Sequence, residues 1–230
     1  MTNISIIIPV FNEANRIENF IDYLKNNSSN LEKVEILIVD GGSTDDLKHK
    51  IKEGENLRII HSEKGRATQM NAGAKMAKGS LLYFLHCDSY PPKHFDRLIK
   101  EAVDKGNLAG CFRMKFDLVH PVLMVSQWFT RFNHISCRGG DQSLFISKHL
   151  FNEIDGFNEQ YIIYEDNEIA SKLYDRKQFV VLPEYVITSA RRYKVNGVWN
   201  LQYHFSIIHL KRRLGHSAEN MLEYYKKYVR

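Results

Sequence analysis

Ile4-Ser5-Ile6-Ile7-Ile8-Pro9-Val10-Phe11, closing on Asn12-Glu13, is the stretch whose reading decides the fold. An unbroken apolar run bounded by polar residues reads as a strand buried on both faces, and such strands belong to parallel sheets. The pattern recurs twice before Tyr90. Val34-Glu35-Ile36-Leu37-Ile38-Val39 closes on Asp40-Gly41-Gly42-Ser43-Thr44-Asp45, and Leu81-Leu82-Tyr83-Phe84-Leu85 closes on His86-Cys87-Asp88-Ser89. Each run delivers an acid (Glu13, Asp40 or Asp88) to the carboxyl end of a strand. That is the edge at which open parallel sheets hold their ligands.

Helical stretches separate these runs. Ile17, Phe20, Ile21 and Leu24 share one face of a helix near Arg16–Asn26. Ser43-Thr44-Asp45 resembles a cap for a helix over Asp45–Lys52. Leu57–Ile60 is a short strand, and Thr68–Ala77 is a helix with Met70, Ala74 and Ala77 inward. Pro91-Pro92 suits the first turn of a helix running to Lys105. The alternation of strands and helices predicts an α/β fold with a mixed, mainly parallel sheet flanked by helices. Beyond it, Ala109–Phe116 alternates like a mixed-sheet or edge strand, Val122–Phe132 is an apolar helix, and Gln142–Ile146 is a strand. Lys148–Ile154 and Glu165–Arg176 read as helices, and Phe179–Leu182 as a strand ended by Pro183. A basic loop follows Ser189, then a helix near Val198–Leu214 and an amphipathic helix near Ala218–Tyr228. One domain over residues 1–230 is expected, with a nucleotide-binding half (1–105), an acceptor and catalytic half (106–195) and a C-terminal helical extension (196–230).

The chain has 230 residues, 43% apolar and 26% charged, which is ordinary for a globular protein with a substantial core. The net charge of +5 is concentrated late, in Arg191-Arg192-Tyr193-Lys194, Lys211-Arg212-Arg213 and Lys226-Lys227. It suits an anionic substrate or membrane surface as well as a solvated basic face. Cys87, Cys111 and Cys137 form no CxxC pair and read as reduced thiols of a cytoplasmic protein. No stretch approaches the ~20 apolar residues of a membrane span. The chain enters a strand almost at once, so no signal peptide is expected and any membrane contact would be peripheral.

Several clusters carry chemistry. In Asp40-Gly41-Gly42-Ser43-Thr44-Asp45 the glycines permit close backbone approach and the next helix start favours an anion, although a capped turn has the same appearance. The segment is neither a phosphate-binding GxxxxGK[ST] loop nor a dinucleotide GxGxxG. Lys64 and Arg66 precede a helix start suited to phosphate, with Asn71 and Gly73 one turn further on. Asp88, beside His86, suits a divalent cation bridging a diphosphate. Glu165, Asp166 and Glu168 open a helix, where acids often serve only the helix dipole; a base able to reach an acceptor hydroxyl is expected among the second-half acids. Trp128, Phe129 and Phe132 read as core or groove lining. Tyr224, Tyr225 and Tyr228 with Lys226 and Lys227 suit a membrane-interface or homodimer helix, a plain packing helix being the simpler reading.

In this order, the Ile6–Glu13 strand end, Val39–Asp45, the acid at Asp88 and Glu165-Asp166 resemble the family 2 glycosyltransferases, which have the GT-A fold. Gly65-Arg66-Ala67, Leu85-His86-Cys87-Asp88-Ser89, Gly140-Asp141-Gln142 and Thr188-Ser189-Ala190-Arg191-Arg192 resemble a bacterial subgroup of small soluble members. The resemblance implies that Pro9, Phe11, Asn12, Glu13, Asp40, Gly42, Ser43, Arg66, Asn71, His86 and Asp88 form the nucleotide side, with Asp40 near the base. It implies Mg2+ or Mn2+ at Asp88 and His86. Asp166, with Glu165 beside it, would be the general base of an inverting transfer. Asp141, Gln142, Arg191 and Arg192 would line the sugar, acceptor or diphosphate region. The donor would be a nucleotide-sugar, UDP-linked on family frequency, and the acceptor a carbohydrate or lipid-linked molecule; no nucleic acid is implied. One departure stands out: the family's metal motif often reads Asp-x-Asp, and His86 replaces its first acid. Imidazole ligates Mn2+ but is a poorer partner for Mg2+. A sugar-nucleotide pyrophosphorylase would carry a basic glycine-rich loop after the first strand, where Phe11-Asn12-Glu13 stands instead. A non-catalytic sugar-nucleotide binder would have no need of both Asp88 and Asp166.

Overall fold

The computed structural model describes residues 3–139 and 142–229. The chain runs β1 (Ile4–Val10), α1 (Ala14–Asn27), β2 (Val34–Asp40), α2 (Leu47–Lys50), β3 (Leu57–His61), α3 (Arg66–Met76), β4 (Leu81–Phe84), β5 (Ser89–Tyr90) and α4 (Phe95–Asp104). It continues through β6 (Ala109–Phe116), α5 (Pro121–Phe129), β7 (Leu144–Ser147), α6 (Lys148–Glu153), α7 (Glu165–Asp175) and β8 (Phe179–Thr188), and closes with α8 (Arg191–Asn196), α9 (Val198–Arg213) and α10 (Ala218–Tyr228). One eight-stranded sheet has the order β3-β2-β1-β4-β7-β6-β8-β5. Strands β3, β2, β1 and β4 are parallel, β7 is antiparallel to both of its neighbours, and β5 is antiparallel to β8.

Both faces of the sheet are covered, which is why β1 and β2 are buried at every position. On one face Ile6, Ile8, Ile36 and Ile38 pack with Ile17 and Phe20 of α1 and Phe95 and Ile99 of α4. On the other, Ile7, Leu37 and Val39 pack with Met70 and Ala74 of α3, Leu150 of α6 and Ile169 of α7. Gly73 makes the α3 contact possible: a Cβ there would overlap the Ile7 side chain and lie 2.9 Å from Val39 Cγ2. A third cluster, Leu123, Tyr193, Leu201 and Val229, joins α5, α8 and α9 to the C-terminal residues.

Pro9 sits in a central strand, a position usually denied to proline. The Ile7 carbonyl accepts the Leu85 N–H at 3.1 Å, and the Val10 carbonyl accepts the Gly41 N–H at 3.0 Å. Alternation therefore turns Pro9 toward the β4 side, past the last β1–β4 pair, Ile7 with Phe84. The missing N–H falls where the two strands part, at the switch point of the sheet.

Five expectations need correction. Strand β8 does not stop at Pro183 but runs to Thr188. Phe112 pairs with Leu182 and Arg113 with Tyr185, so Pro183 and Glu184 form a bulge, where proline's lost donor is tolerated. Pro91-Pro92 does not open α4. Left-handed His94 precedes that helix, its N–H bonded to Asn27 O at 2.7 Å, and Asp96 in its first turn accepts the N–H groups of Ser29 and Asn30. The segment after Ser189 is helical, not a loop. Asp45 does not cap its own short helix; its carboxylate accepts the Ala14 N–H at 2.9 Å and so caps α1 from a neighbouring loop. Trp128, Phe129 and Phe132 are exposed, not core, because only the Leu123 face of α5 is covered.

Candidate active site

The parallel order β2-β1-β4 gathers three strand ends, and side chains stitch them together. Asn12 adopts a left-handed conformation (φ 56°). Its N–H donates to Ser43 Oγ at 2.9 Å, and its side-chain oxygen accepts the Thr44 N–H at 2.8 Å. Asp40 is buried; it accepts the Ser43 N–H at 2.8 Å, and its second oxygen lies 3.6 Å from His61 Nδ1. Gly42, at φ 86°, makes the turn between them. Buried Gln69 of α3 seals the floor, its amide donating to the Val10 and Val39 carbonyls at 2.8 and 2.7 Å. The neighbouring Gly41 leaves room for it, since a Cβ there would sit 2.9 Å from the Gln69 amide carbon. Sequence reading missed Gln69; a polar side chain beside Met70 on the inward face of α3 was the available signal.

The third strand end is reached from the far side of the sheet. Ser189 N–H bonds Asp88 O at 3.1 Å, and Asp117 accepts the Ala190 N–H at 2.7 Å, which fixes the start of α8. Arg191 then lies with Nη2 3.2 Å from Glu13 Oε1 and 3.7 Å from Asp88 Oδ2. Burial disfavours the Arg191 charge, but Glu13 and then Asp88 outweigh it and raise its pKa. Glu13 also pairs with Arg16 at 2.8 Å. Burial pushes the Cys87 thiol up to about 12, with Glu13 and Asp88 adding to the shift, so this thiol is unreactive at neutral pH. His86 is half-buried, and its carbonyl accepts the Ser89 N–H at 3.0 Å.

Among the described residues no group of three or more His, Cys, Asp or Glu side chains is arranged to hold a metal. The donor set fits a different arrangement. A hard cation at a phosphate site commonly takes one or two carboxylates and completes its shell with substrate oxygens. Asp88, partly exposed at the strand end, offers such a carboxylate.

The second half contributes through α7. Left-handed Tyr164 (φ 75°) turns the chain into this helix, whose first residue, Glu165, is buried. Arg66, at the start of α3, places Nη1 3.6 Å from Glu165 Oε1. Burial dominates at Glu165 and raises its pKa, while Arg66 and, more weakly, Arg192 oppose the shift. Asp166 turns to a different neighbourhood, a small cavity that it lines with Arg138, Gly139, Gln142, Cys111 and Phe179. Gln142 accepts the Gly139 N–H at 3.0 Å, and its buried amide nitrogen has no partner among the described residues. Buried Arg138 donates to the carbonyls of Thr130 (2.9 Å) and Phe132 (2.5 Å) and to Cys111 Sγ at 3.0 Å. Arg138 was not singled out from the sequence, because a lone arginine in a glycine-rich loop carries no signal of burial. Asp141 lies outside the described residues.

The structure thus brings Glu13, Asp88 and Arg191 together, Asn12, Asp40, Gly42 and Ser43 together, and Arg66, Glu165 and Arg192 together. Pro9 and partly exposed Phe11 border the first two groups. Asn71 departs from the nucleotide set: its side chain bonds the Phe157 backbone at 2.9 and 3.0 Å and Glu159 at 2.8 Å, so it serves to position the 157–159 segment.

Comparison with known proteins bears on the family and the fold. Over 94 residues the chain is 32% identical to the glycosyltransferase AglE of Haloferax volcanii, covering 38% of this chain and 31% of that protein. Over 102 residues it is 37% identical to a dolichyl N-acetyl-alpha-D-glucosaminyl phosphate 3-beta-D-2,3-diacetamido-2,3-dideoxy-beta-D-glucuronosyltransferase of Methanococcus voltae, covering 41% of this chain and 32% of that protein. The chain therefore spans about a third of the length of these curated relatives. Among solved structures it superposes on S. aureus TarS 1-349 in complex with UDP, with TM-score 0.66, 19% identity and coverage of 82% and 61% of the two chains. It also superposes on the mannosyltransferase PcManGT of Pyrobaculum calidifontis in complex with GDP-Man and Mn2+, with TM-score 0.69, 18% identity and coverage of 94% and 65%. The shared fold is GT-A. The sequence model of Glycosyl transferase family 2 matches residues 5–154, and the chain belongs to that family.

Proposed function

We propose that the chain transfers a sugar from a nucleotide-diphosphate sugar, UDP being the expected nucleotide, to a hydroxyl of a carbohydrate or lipid-linked acceptor, with inversion at the anomeric carbon. The observation that carries this reading is the meeting of Glu13, Asp88 and Arg191 at the switch point of the sheet; from the second half, Glu165 at the start of α7 pairs with Arg66 of α3. Residues 1–105 would hold the donor, 106–195 the acceptor and the base, and 196–230 would buttress them. Asp40 is suited to the base or ribose, and Arg66 to a phosphate oxygen. A divalent cation, Mg2+ or Mn2+, held by Asp88 with His86 as a second candidate ligand, would supply Lewis-acid stabilisation of the leaving diphosphate. TarS, solved in complex with UDP, and PcManGT, solved in complex with GDP-Man and Mn2+, share the fold and support a nucleotide-sugar and a divalent metal as the ligands to test.

In this reading Asp166 accepts the proton of the acceptor hydroxyl as its oxygen forms the new bond to the anomeric carbon. The bond to the diphosphate breaks with its electron pair, and the nucleoside diphosphate leaves. Glu165, paired with Arg66, stays beside the donor as the second acid. Arg192, Gln142 and Asp141 are assigned to the sugar and acceptor side. Calorimetry with UDP and GDP, with and without Mn2+, followed by donor hydrolysis and transfer assays, tests the reading. Asp166→Asn should retain nucleotide affinity and lose roughly 10²–10⁴ of its transfer rate. Near wild-type transfer would remove Asp166 from its role. Nucleoside triphosphate consumption with a sugar phosphate, or binding without turnover for any donor, would overturn the reaction class.

A further inference from the structure

Helices α5 and α9 lie side by side. The His120 and Trp199 rings are 6.3 Å apart where the two helices start, and Arg213 Nη2 at the end of α9 donates to Ser136 Oγ at 2.9 Å in the chain segment that follows α5. Their inner faces meet in the cluster of Leu123 and Leu201, both fully buried. Their outer faces are apolar and uncovered: Val125, Trp128 and Phe129 on α5, and Trp199, Tyr203 and Leu210 on α9. Trp199 is 73% exposed and Trp128 47% exposed. A large apolar ridge in water marks a contact surface. Charge narrows the occupant. No Asp or Glu occurs between Glu184 and Glu219, a stretch carrying Lys194, Lys211, Arg212 and Arg213 besides the two arginines of the candidate site. None occurs between Asp117 and Asp141, which holds Arg131 and Arg138.

We infer that the α5–α9 ridge docks the protein on an anionic lipid surface, with Trp128, Trp199 and Tyr203 at the headgroup level and the flanking arginines and lysines against lipid phosphates. A second copy of the chain fits less well, because neither α5 nor α9 carries an acid and self-association would set their cationic flanks against each other. The inference puts the membrane contact on α5 and α9 and leaves α10 the packing helix of the simpler reading. The aromatic side chains of that helix are partly spent on α9, where His204 Nδ1 pairs with Tyr224 OH at 2.8 Å and its ring stacks on Tyr228. It does not depend on the sugar-transfer reading.

The only two tryptophans of the chain, Trp128 and Trp199, are both on the ridge, so intrinsic fluorescence reports on it directly. The test mixes the full chain with phosphatidylcholine vesicles, with and without phosphatidylglycerol, and follows tryptophan emission and co-sedimentation. A blue shift and co-sedimentation are expected with the anionic vesicles alone, both reversed by high salt. Arg131→Gln with Arg212→Gln should lower partitioning by about 30-fold while circular dichroism stays unchanged. Trp128→Ser with Trp199→Ser should lower co-sedimentation as well. Absence of both the shift and co-sedimentation would overturn the proposal. So would a dimer in lipid-free buffer that the tryptophan substitutions dissociate.

Discussion

Arg191→Gln removes the one cation that, among the described residues, pairs with two of the gathered strand-end acids. At 3.7 Å its attraction to Asp88 is about 1 kcal/mol in a water-like dielectric and about 4.5 kcal/mol at an effective constant of 20. The arginine side chain is 47% exposed, which places the pair near the lower figure. Glu13 keeps Arg16 at 2.8 Å, so the folded state should lose only about 1 kcal/mol. Ligand binding should respond more strongly. If Arg191 turns from these acids to an incoming diphosphate, its loss removes a charge-assisted hydrogen bond of about 1.5–3 kcal/mol, a roughly ten- to hundredfold weaker UDP affinity without metal. The same substitution frees Asp88 from competition, so the gain in UDP affinity on adding Mn2+ should be larger in the variant than in the wild type. Calorimetric titration of UDP into both proteins, in chelator and in Mn2+, measures the two effects. Equal affinities in chelator together with an equal Mn2+ gain would refute the assignment of Arg191 to the diphosphate and of Asp88 to the metal.

Three further outcomes follow from packing and ionisation. Gly73→Ala forces a methyl between Ile7 and Val39, and after the gain in helix propensity it should cost about 1–2 kcal/mol, lowering Tm by about 2–6 °C in a thermal melt. Burial opposes the Glu35 charge, but Ser5 Oγ at 2.5 Å, the Lys78 N–H and Arg58 at 3.1 Å outweigh it and hold its pKa below the usual value. Its contribution is therefore complete above the unfolded value of 4.5 and is lost as pH falls through the folded one; urea midpoints of Glu35→Gln should be lower at pH 7 and fall less on acidification. Glu165 has the opposite sign. Burial raises its pKa, the folded state binds the extra proton, and stability declines as pH rises through the interval above 4.5; Glu165→Gln should flatten that decline in the same measurement.

The parallel strands and the acids at their ends were legible because β1 and β2 are buried on both faces and so write themselves as unbroken apolar runs ending in acids. The family order of motifs was legible for the same reason, since each motif sits where a run stops. What stayed hidden depends on partners distant in sequence. Asp45 looks like a local cap until β1 and β2 lie side by side and Ala14 becomes the nearer donor. Arg191 looks like part of a basic loop until β8 pairs with β5 and carries it onto Asp88. Trp128 and Phe129 were read as core or groove lining because an apolar helix is ordinarily covered, and nothing local distinguishes the covered face from the bare one.

The bulge at Pro183 and Glu184 gives β8 a spare length of two residues against β6. Two is an even number, so inward and outward positions keep their phase across it: Val186 and Thr188 still point in, and Ile187 out. Deleting one of the pair would invert that phase and expose the inner residues, a lesion of folding. Deleting both would restore the phase but draw the start of α8 back by about 6.6 Å, stranding Arg191 away from Glu13 and Asp88. The slack in one strand thus acts as a length adjuster, and across related chains the number of residues it holds should vary with the reach of the arginine that follows.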